Sequence, residues 1–273
     1  MPGTLACIGV DLADPQALTD LLDPWLAQVE PSAVGASGIE TTVLRDASGA
    51  MLSVTTAGED IIDLVPSFAG PLGVRLGGVG PSGQYLLGDV EDDEGQVLTR
   101  VCFDSPQRLF VPRAHVRSIA GSMTLLAGTA AVHADAEAFT ASEASLLGPA
   151  EDGGEVRLQV PSLIAYGMFT LVADGEEAPD PEQVAADVDP RCRLVGTVVE
   201  AEQPVHSRTG QSFHAITVQT LGMKLVVCGP ASLLPESPPV GAVIEARGLL
   251  VGDAPVLWKI RPPKERRGLL RRR

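Results

Sequence analysis

Short alternating runs of apolar and polar residues cover most of this chain, and their spacing predicts many short strands. The apolar run at residues 5–10 predicts the first strand. A helix is predicted next, because Asp14 is a suitable N-cap and Pro15 suits the first helical position, where an N–H would have no helical partner. Leucines and Trp25 follow at helical spacing. Pro24 lies within this stripe and predicts a kink or an early end of the helix.

The first two thirds of the chain predict an acidic α+β domain with a mostly antiparallel sheet, residues 1–178. Helices are predicted at residues 112–121 and 135–147. Residues 179–190 are predicted to be a linker, because this part of the chain is acidic, contains prolines and has few large apolar side chains. Strands are predicted at residues 40–45, 50–56, 61–65, 73–76, 85–90, 97–103, 123–134 and 156–160.

After the linker the pattern predicts three strands, a short helix or loop, and two more strands. The strands are expected at residues 193–199, 213–220, 223–227, 243–251 and 255–260, with glycine-containing turns between them. This order resembles the OB-fold, a five-stranded, partly open barrel. We therefore expect an all-β OB-like barrel at residues 191–263, followed by a basic tail at residues 264–273. The resemblance concerns the fold and implies no particular ligand, since OB barrels bind many things.

The order strand, helix, three strands in residues 4–80 resembles one module of the vicinal-oxygen-chelate (glyoxalase-like) superfamily. Enzymes of that superfamily usually place His, Gln or Glu metal ligands at the starts of the first and fourth strands. Residues 5–10 and 73–76 contain no such ligand. The resemblance therefore implies the fold without its metal chemistry. Whether residues 81–170 repeat the module stays open.

Charge is distributed unevenly along the chain. The net charge is −15, yet residues 191–273 hold 13 basic against 6 acidic residues. The barrel could therefore approach a polyanion that the rest of the chain would repel. The four cysteines are isolated, as expected for free thiols in a reducing cytoplasm. No apolar run reaches the roughly 18 residues of a membrane span, and the first residues do not resemble a secretory signal.

Two local motifs are candidates for chemistry. Residues 78–83 match GxGxxG, but Pro81 removes an amide donor and no convincing helix follows, so a glycine-rich surface loop is favoured over a dinucleotide site. His133, Asp135 and Glu137 would share one face of a strand and could hold a divalent metal there. If the chain becomes helical after Ala134, Asp135 is an N-cap instead, and this interpretation is favoured over the metal site.

The barrel carries the best candidate ligand surface. On the second strand, Phe213, Ala215, Thr217 and Gln219 are expected to point outward, while His214, Ile216, Val218 and Thr220 point into the core. An exposed Phe213 beside basic side chains could stack on the bases of a single strand. The candidate binding residues are Arg208, Phe213, Lys224, Trp258, Lys259 and Arg261.

These observations favour a non-catalytic binding or assembly protein that recognises a protein partner or a small ligand, with no cofactor. The first alternative is single-stranded nucleic-acid binding through residues 191–273, with the acidic domain competing for the barrel. The second is a glyoxalase-like metal enzyme. The basic tail is expected to be solvated or to dock on the acidic domain.

Overall fold

The computed structural model describes residues 3–35, 38–111, 118–149, 154–166 and 188–259. Most of these residues lie in β-strands. The described helices are α1 (Pro15–Leu26), α2 (Ala136–Ala141) and three short 3-10 helices at Thr4–Ile8, Glu143–Ser145 and Leu257–Lys259. Among the described residues, no helix is long and apolar enough to cross a membrane.

The described strands are numbered in chain order. They are β1 (Ala33–Val34), β2 (Ile39–Arg45), β3 (Ala50–Ala57), β4 (Asp60–Phe68), β5 (Val74–Ser82), β6 (Tyr85–Glu91), β7 (Val97–Phe103), β8 (Ile119–His133), β9 (Leu146–Pro149), β10 (Glu155–Arg157), β11 (Ser162–Ala165), β12 (Arg191–Glu202), β13 (Phe213–Thr220), β14 (Met223–Pro230) and β15 (Val243–Asp253).

Five strands close into a barrel in the order β12-β13-β14-β8-β15 and back to β12. The predicted barrel is confirmed, but its fifth strand is β8 and not residues 255–260. β8 pairs in parallel with β14 and antiparallel with β15. The predicted last strand is instead a turn followed by the 3-10 helix Leu257–Lys259, and residue 260 lies outside the described residues. Pro255 cannot donate a strand hydrogen bond, which disfavours the predicted pairing.

A meander of β5, β6 and β7 extends the sheet from the start of β8. Its inward side chains continue the core of the barrel. One cluster holds Leu76 and Phe103 from the meander, Leu125 from β8, and Leu194 and Ile216 from the later strands. The hydrophobic core therefore joins residues on both sides of the predicted linker, of which residues 179–187 lie outside the described part.

A second layer packs on the outside of the barrel. It consists of the antiparallel sheet β1-β2-β3-β4, helix α1 and the 3-10 helix Thr4–Ile8. The predicted strand at residues 5–10 is wrong, because Gly9 adopts a left-handed φ of 76° and ends a 3-10 helix there. Six apolar residues bury equally well in either conformation, so the pattern alone did not decide between them.

The predicted helix is present as α1, and it begins where the sequence predicts. Asp14 Oδ1 accepts a hydrogen bond from Gln16 N at 2.9 Å, and Pro15 is the first helical residue. Leu22 and Trp25 are buried against the sheet and barrel. Pro24 is accommodated in the last turn, and the helix continues to Leu26, the last residue of the predicted stripe, so it does not end early at the proline. The antiparallel sheet is confirmed in this part of the chain, whereas helix is scarcer than an α+β domain implies.

Candidate functional site

The outer face of β13, predicted to be a ligand platform, is covered by the chain itself at Phe213 and Ala215, whereas Thr217 and Gln219 are partly exposed. Phe213 is 0% exposed, so the prediction of an exposed stacking ring is wrong. Its ring lies in a cluster with Cys7 and Ile8 from the N-terminal segment and with Val226 and Cys228 from β14. The predicted division of the strand is correct, since His214, Ile216, Val218 and Thr220 are buried. The alternation identified the two faces but could not show that a second layer covers the outer one.

The loop between β12 and β13 holds the N-terminal segment on this face. Thr209 Oγ1 donates a hydrogen bond to Gly9 O at 2.6 Å. Gln211 donates through Nε2 to Asp11 O at 2.9 Å and accepts from Asp11 N at 2.7 Å. A Cβ at Gly9 would lie 2.9 Å from Gln211 O, so this close approach requires glycine.

The same loop binds the turn between β2 and β3. Ser207 N donates to Asp46 Oδ1 at 3.0 Å, and Ser207 Oγ donates to Asp46 Oδ2. Burial opposes ionisation of Asp46, but the hydrogen bonds from Ser207 and Ser48 outweigh it and hold the pKa of Asp46 well below its usual range. These contacts attach the loop to the second layer.

Arg208 and His206 pack against Trp25 of helix α1. The Arg208 Cζ atom lies 4.6 Å from the Trp25 ring centroid, a cation–π contact. The His206 ring meets Trp25 edge-on with centroids 5.9 Å apart. Burial lowers the pKa of His206, Asp46 opposes this and Arg208 adds to it. Arg208 therefore contacts Trp25 of the same chain, whereas the sequence predicted that it contacts a ligand.

The other predicted binding residues have different neighbours. Lys224 has an exposed side chain on β14, and its backbone N donates to Gly73 O at 3.0 Å. The Trp258 Nε1 donates to Asp253 Oδ1 at 3.3 Å. The Lys259 side chain and all of Arg261 lie outside the described part. The described members of the predicted set are thus not brought together in one site.

The predicted metal cluster is replaced by a helix cap. Asp135 Oδ1 accepts from Ala138 N at 2.8 Å at the start of α2, which confirms the favoured interpretation of that residue as an N-cap. Glu137 lies in the first helical turn, and the His133 ring packs edge-on against Phe139 at 5.2 Å. Across the described ranges, no group of three or more His, Cys, Asp or Glu residues could hold a metal ion.

The GxGxxG match belongs to strand β5 and is not the surface loop that the sequence predicted. The register with β6 shifts between Gly77 and Gly80, as in a β-bulge, and Gly78 has a φ of 57° there. Val79 is fully buried. Strand β6 follows after a short turn, so no helix N-terminus is available to a pyrophosphate at this position.

A half-buried polar network that the sequence did not predict anchors the loop at residues 104–111. Arg108 pairs with Asp63 of β4 at 2.6 Å and with Asp104 at 3.0 Å. The Asp104 backbone accepts from Gly252 N at 2.8 Å and donates to Leu250 O at 2.9 Å. Burial raises the pKa of Asp104, and the charge of Arg108 opposes the rise. The network ties β4 to β15.

The second half of this loop contacts the segment that follows β15. Gln107 is fully buried, accepts from Ser105 Oγ at 2.6 Å and donates to Asp253 Oδ1. The Phe110 and Trp258 rings are 6.2 Å apart. Asp253 therefore accepts hydrogen bonds from both Gln107 and Trp258. The loop joins three elements that are distant in sequence.

Exposed apolar side chains adjoin these contacts along the sequence. Leu109, between Arg108 and Phe110, is 50% exposed, and Ile62, beside Asp63, is also 50% exposed. We use the name Leu109 surface for these exposed side chains. Its apolar members are Ile61, Ile62, Leu109 and Val256, and the exposed acidic residues Glu59 and Asp60 adjoin it. The only sequence signal for it was the pair Ile61-Ile62, which breaks strict strand alternation.

Comparison with known proteins found no matching family model, no matching curated protein and no matching solved structure. The contacts of this chain are therefore the basis for a functional assignment.

Proposed function

We propose that this is a non-catalytic binding protein that recognises a protein partner through the Leu109 surface. The observation that carries the proposal is that large exposed apolar side chains adjoin, along the sequence, the residues of the polar network that joins β4, the loop at residues 104–111 and the segment after β15. Contiguous exposed apolar patches on soluble proteins commonly mark interaction sites. A protein partner suits this surface better than a small ligand, because its apolar side chains are about half exposed, whereas small-molecule sites bury most of the ligand in a concave pocket.

The polar contacts beneath the surface support this role. The half-buried ion pair between Arg108 and Asp63 and the buried amide of Gln107 attach the loop at residues 104–111 to β4 and to Asp253. A pre-ordered loop loses less conformational entropy when it binds, which favours affinity. The polar groups beneath the surface are thus explained by positioning and require no chemical step.

We further propose that the barrel is OB-like, with a changed strand order in sequence. Strands β12, β13 and β14 form the antiparallel meander expected of the first three OB strands, and β15 is the expected fourth. The closing position is filled by β8, which precedes the meander. The Phe213 end of the outer face of β13, the expected ligand face in such barrels, is covered by the chain's own second layer.

Pull-down with the immobilised full-length chain tests the proposed function. Leu109→Asp should abolish capture of any specific partner, because burying a leucine contributes about 1.5–3 kcal/mol and the carboxylate adds a desolvation cost. The expected loss of affinity, measured with the purified partner, is at least about tenfold. Val240→Asp is the matched control, since Val240 is 72% exposed and lies just before the start of β15, away from the surface.

Partners captured equally by the wild type and Leu109→Asp would overturn the proposal. Circular dichroism of both variants must match the wild type, so that a folding defect is not mistaken for lost recognition.

Nucleic-acid binding and metal catalysis gain no support from the described contacts. The first would require the covered Phe213 face to open. The second would require ligands beyond Asp135, which caps a helix.

A further inference from the structure

The loop at residues 203–212 attaches the N-terminal segment, residues 4–11, to the outer face of the barrel, and its histidine, His206, is only 1% exposed. We propose that this attachment is sensitive to pH: with His206 neutral the loop holds the segment over Phe213, and with His206 protonated the loop releases it. Release uncovers the apolar face of β13 and β14 beneath the segment. The residues involved belong to neither the Leu109 surface nor its polar network, so the inference does not depend on the proposed function.

The His206 ring is enclosed, and one of its nitrogens has no partner for a proton. A Cβ at Gly9 would lie 2.9 Å from His206 Cβ, and Trp25 of α1 meets the ring edge-on. The Nδ1 atom is buried without a hydrogen-bond partner among the described residues. A protonated imidazole carries an N–H on both nitrogens, so Nδ1 is then a buried donor without an acceptor. Burying such a donor together with a charge costs free energy.

Two charged side chains act on the His206 ring within the described chain. Asp46, from the turn between β2 and β3, attracts an imidazolium, and Arg208, from the loop itself, repels it. The other two elements packed against the ring present uncharged groups, Trp25 from α1 and Gly9 from the N-terminal segment. Burial outweighs the attraction of Asp46, so the pKa of His206 lies below its ordinary value.

The lowered pKa of His206 couples protonation to release of the loop. In a released loop the ring is solvated and regains its ordinary pKa of about 6.5. The released form therefore binds the proton more tightly than the closed form. The stability of the closed form is fully present above about pH 6.5, falls as the pH drops below that value, and stops falling below the pKa of the closed form. Each unit between the two pKa values raises the released population by up to about tenfold.

The loop conformation that buries His206 also makes the contacts to the segment. His206 N donates a hydrogen bond to Gln211 O at 2.9 Å, which closes the loop. Thr209 and Gln211 in turn hydrogen-bond to the backbone of Gly9 and Asp11. Expulsion of the His206 ring therefore displaces the residues that hold the segment in place.

The native cysteines report release in the full-length chain. Cys7 lies in the segment and Cys228 on the face beneath it, in one buried cluster, whereas Cys192 lies in the core of the barrel. The thiols are labelled with 4,4′-dithiodipyridine, which reacts in acid as well as at neutral pH, and each site is quantified by mass spectrometry of proteolytic fragments. The labelling rates of Cys7 and Cys228, divided by that of Cys192, should rise at least about threefold between about pH 7.5 and about pH 5.5.

Three variants assign this response. His206→Gln removes the titrating group and should make the labelling ratio independent of pH. His133→Gln is the matched control, because His133 is a half-buried histidine that packs edge-on against Phe139 at 5.2 Å elsewhere in the chain, and it should keep the wild-type response. Thr209→Val removes the hydroxyl that donates to Gly9 O and should raise the labelling of Cys7 about threefold at neutral pH. Circular dichroism at neutral pH must match the wild type in each case.

Several outcomes would overturn the inference. A labelling ratio that does not change with pH shows that the segment stays in place. Equal acceleration of all the cysteines shows global unfolding, and a wild-type response in His206→Gln shows that another group titrates. If His206→Gln does not fold, amide hydrogen exchange of the wild type decides instead. Protection of residues 5–10 has to fall in acid relative to that of β8, and an unchanged relative protection refutes the release.

Discussion

Replacing Phe213 with alanine gives the sharpest test of how the barrel face is used. If the ring were an exposed platform, its loss would leave stability nearly unchanged. In the structure it is fully buried, meets the Phe68 ring edge-on at 6.1 Å, and lies 3.0 Å from the Cβ position of Gly9. Deleting such a ring removes its burial energy and leaves a cavity, at a cost of about 3–5 kcal/mol. That is a large fraction of the roughly 5–15 kcal/mol that stabilises a typical domain.

Urea unfolding followed by circular dichroism measures this cost. With a slope of about 3 kcal/mol per molar urea, the midpoint of Phe213→Ala should fall by at least about 1 M. Val205→Ala is the control, because Val205 lies in the preceding loop and is 55% exposed. It should change the free energy of unfolding by less than about 0.5 kcal/mol. A loss below about 1 kcal/mol for Phe213→Ala would refute the burial of this face under the second layer.

Three other buried or capping groups give independent tests. Glu245→Gln leaves the buried Arg193 guanidinium, 2.8 Å away, without its carboxylate and should cost about 3–5 kcal/mol in urea unfolding; a cost under 1 kcal/mol would show that the pair is solvated. Because burial lowers the pKa of His206, the unfolded chain takes up its proton first, so the free energy of unfolding should fall as pH drops below about 6.5. His206→Gln should flatten this decline, and an unchanged slope between pH 7 and 5 would contradict the assignment. Asp135→Ala should lower stability by about 1 kcal/mol through loss of the helix cap, with no change in metal content measured by mass spectrometry; metal that is present in the wild type and lost in the variant would restore the metal-site hypothesis.

Local signals in the sequence were sufficient where the chain makes local contacts. Asp14 and Pro15 marked the start of α1, and the hairpin of β13 and β14 follows from alternation and the Leu221-Gly222 turn. The inward and outward sets on β13 were also correct. These features depend on neighbours a few residues apart, which a periodic pattern records directly.

The closing strand of the barrel depends on contacts that no local pattern records. Residues 123–134 were predicted as a strand, and β8 contains nearly all of them. Their partners, β14 and β15, lie about a hundred residues later. An apolar strand shows no preference in its own sequence for one partner over another. The predicted barrel therefore took the nearest available fifth strand, residues 255–260.

The candidate surface was missed for a related reason. Leu109 and Arg108 lie in a loop without periodicity, and the ion pair to Asp63 joins positions 45 residues apart. Basic and aromatic residues on the barrel were predicted to form the binding site, because they match a known mode of binding to single-stranded nucleic acid. Arg208 and Phe213 instead hold the second layer in place.

The position of β8 in the chain, well before the other four strands of the barrel, has a consequence for the synthesis of the protein. During synthesis β8 leaves the ribosome about 120 residues before β15, its longest pairing partner. At a translation rate of about 5–20 residues per second, roughly 6–25 s pass between the synthesis of β8 and that of β15, and the barrel cannot close before then. An unpaired apolar strand is a site for mispairing during that interval. We therefore expect nascent chains to depend on chaperones until residue 253 has emerged, and a fragment that begins at residue 191 to lack a closed barrel.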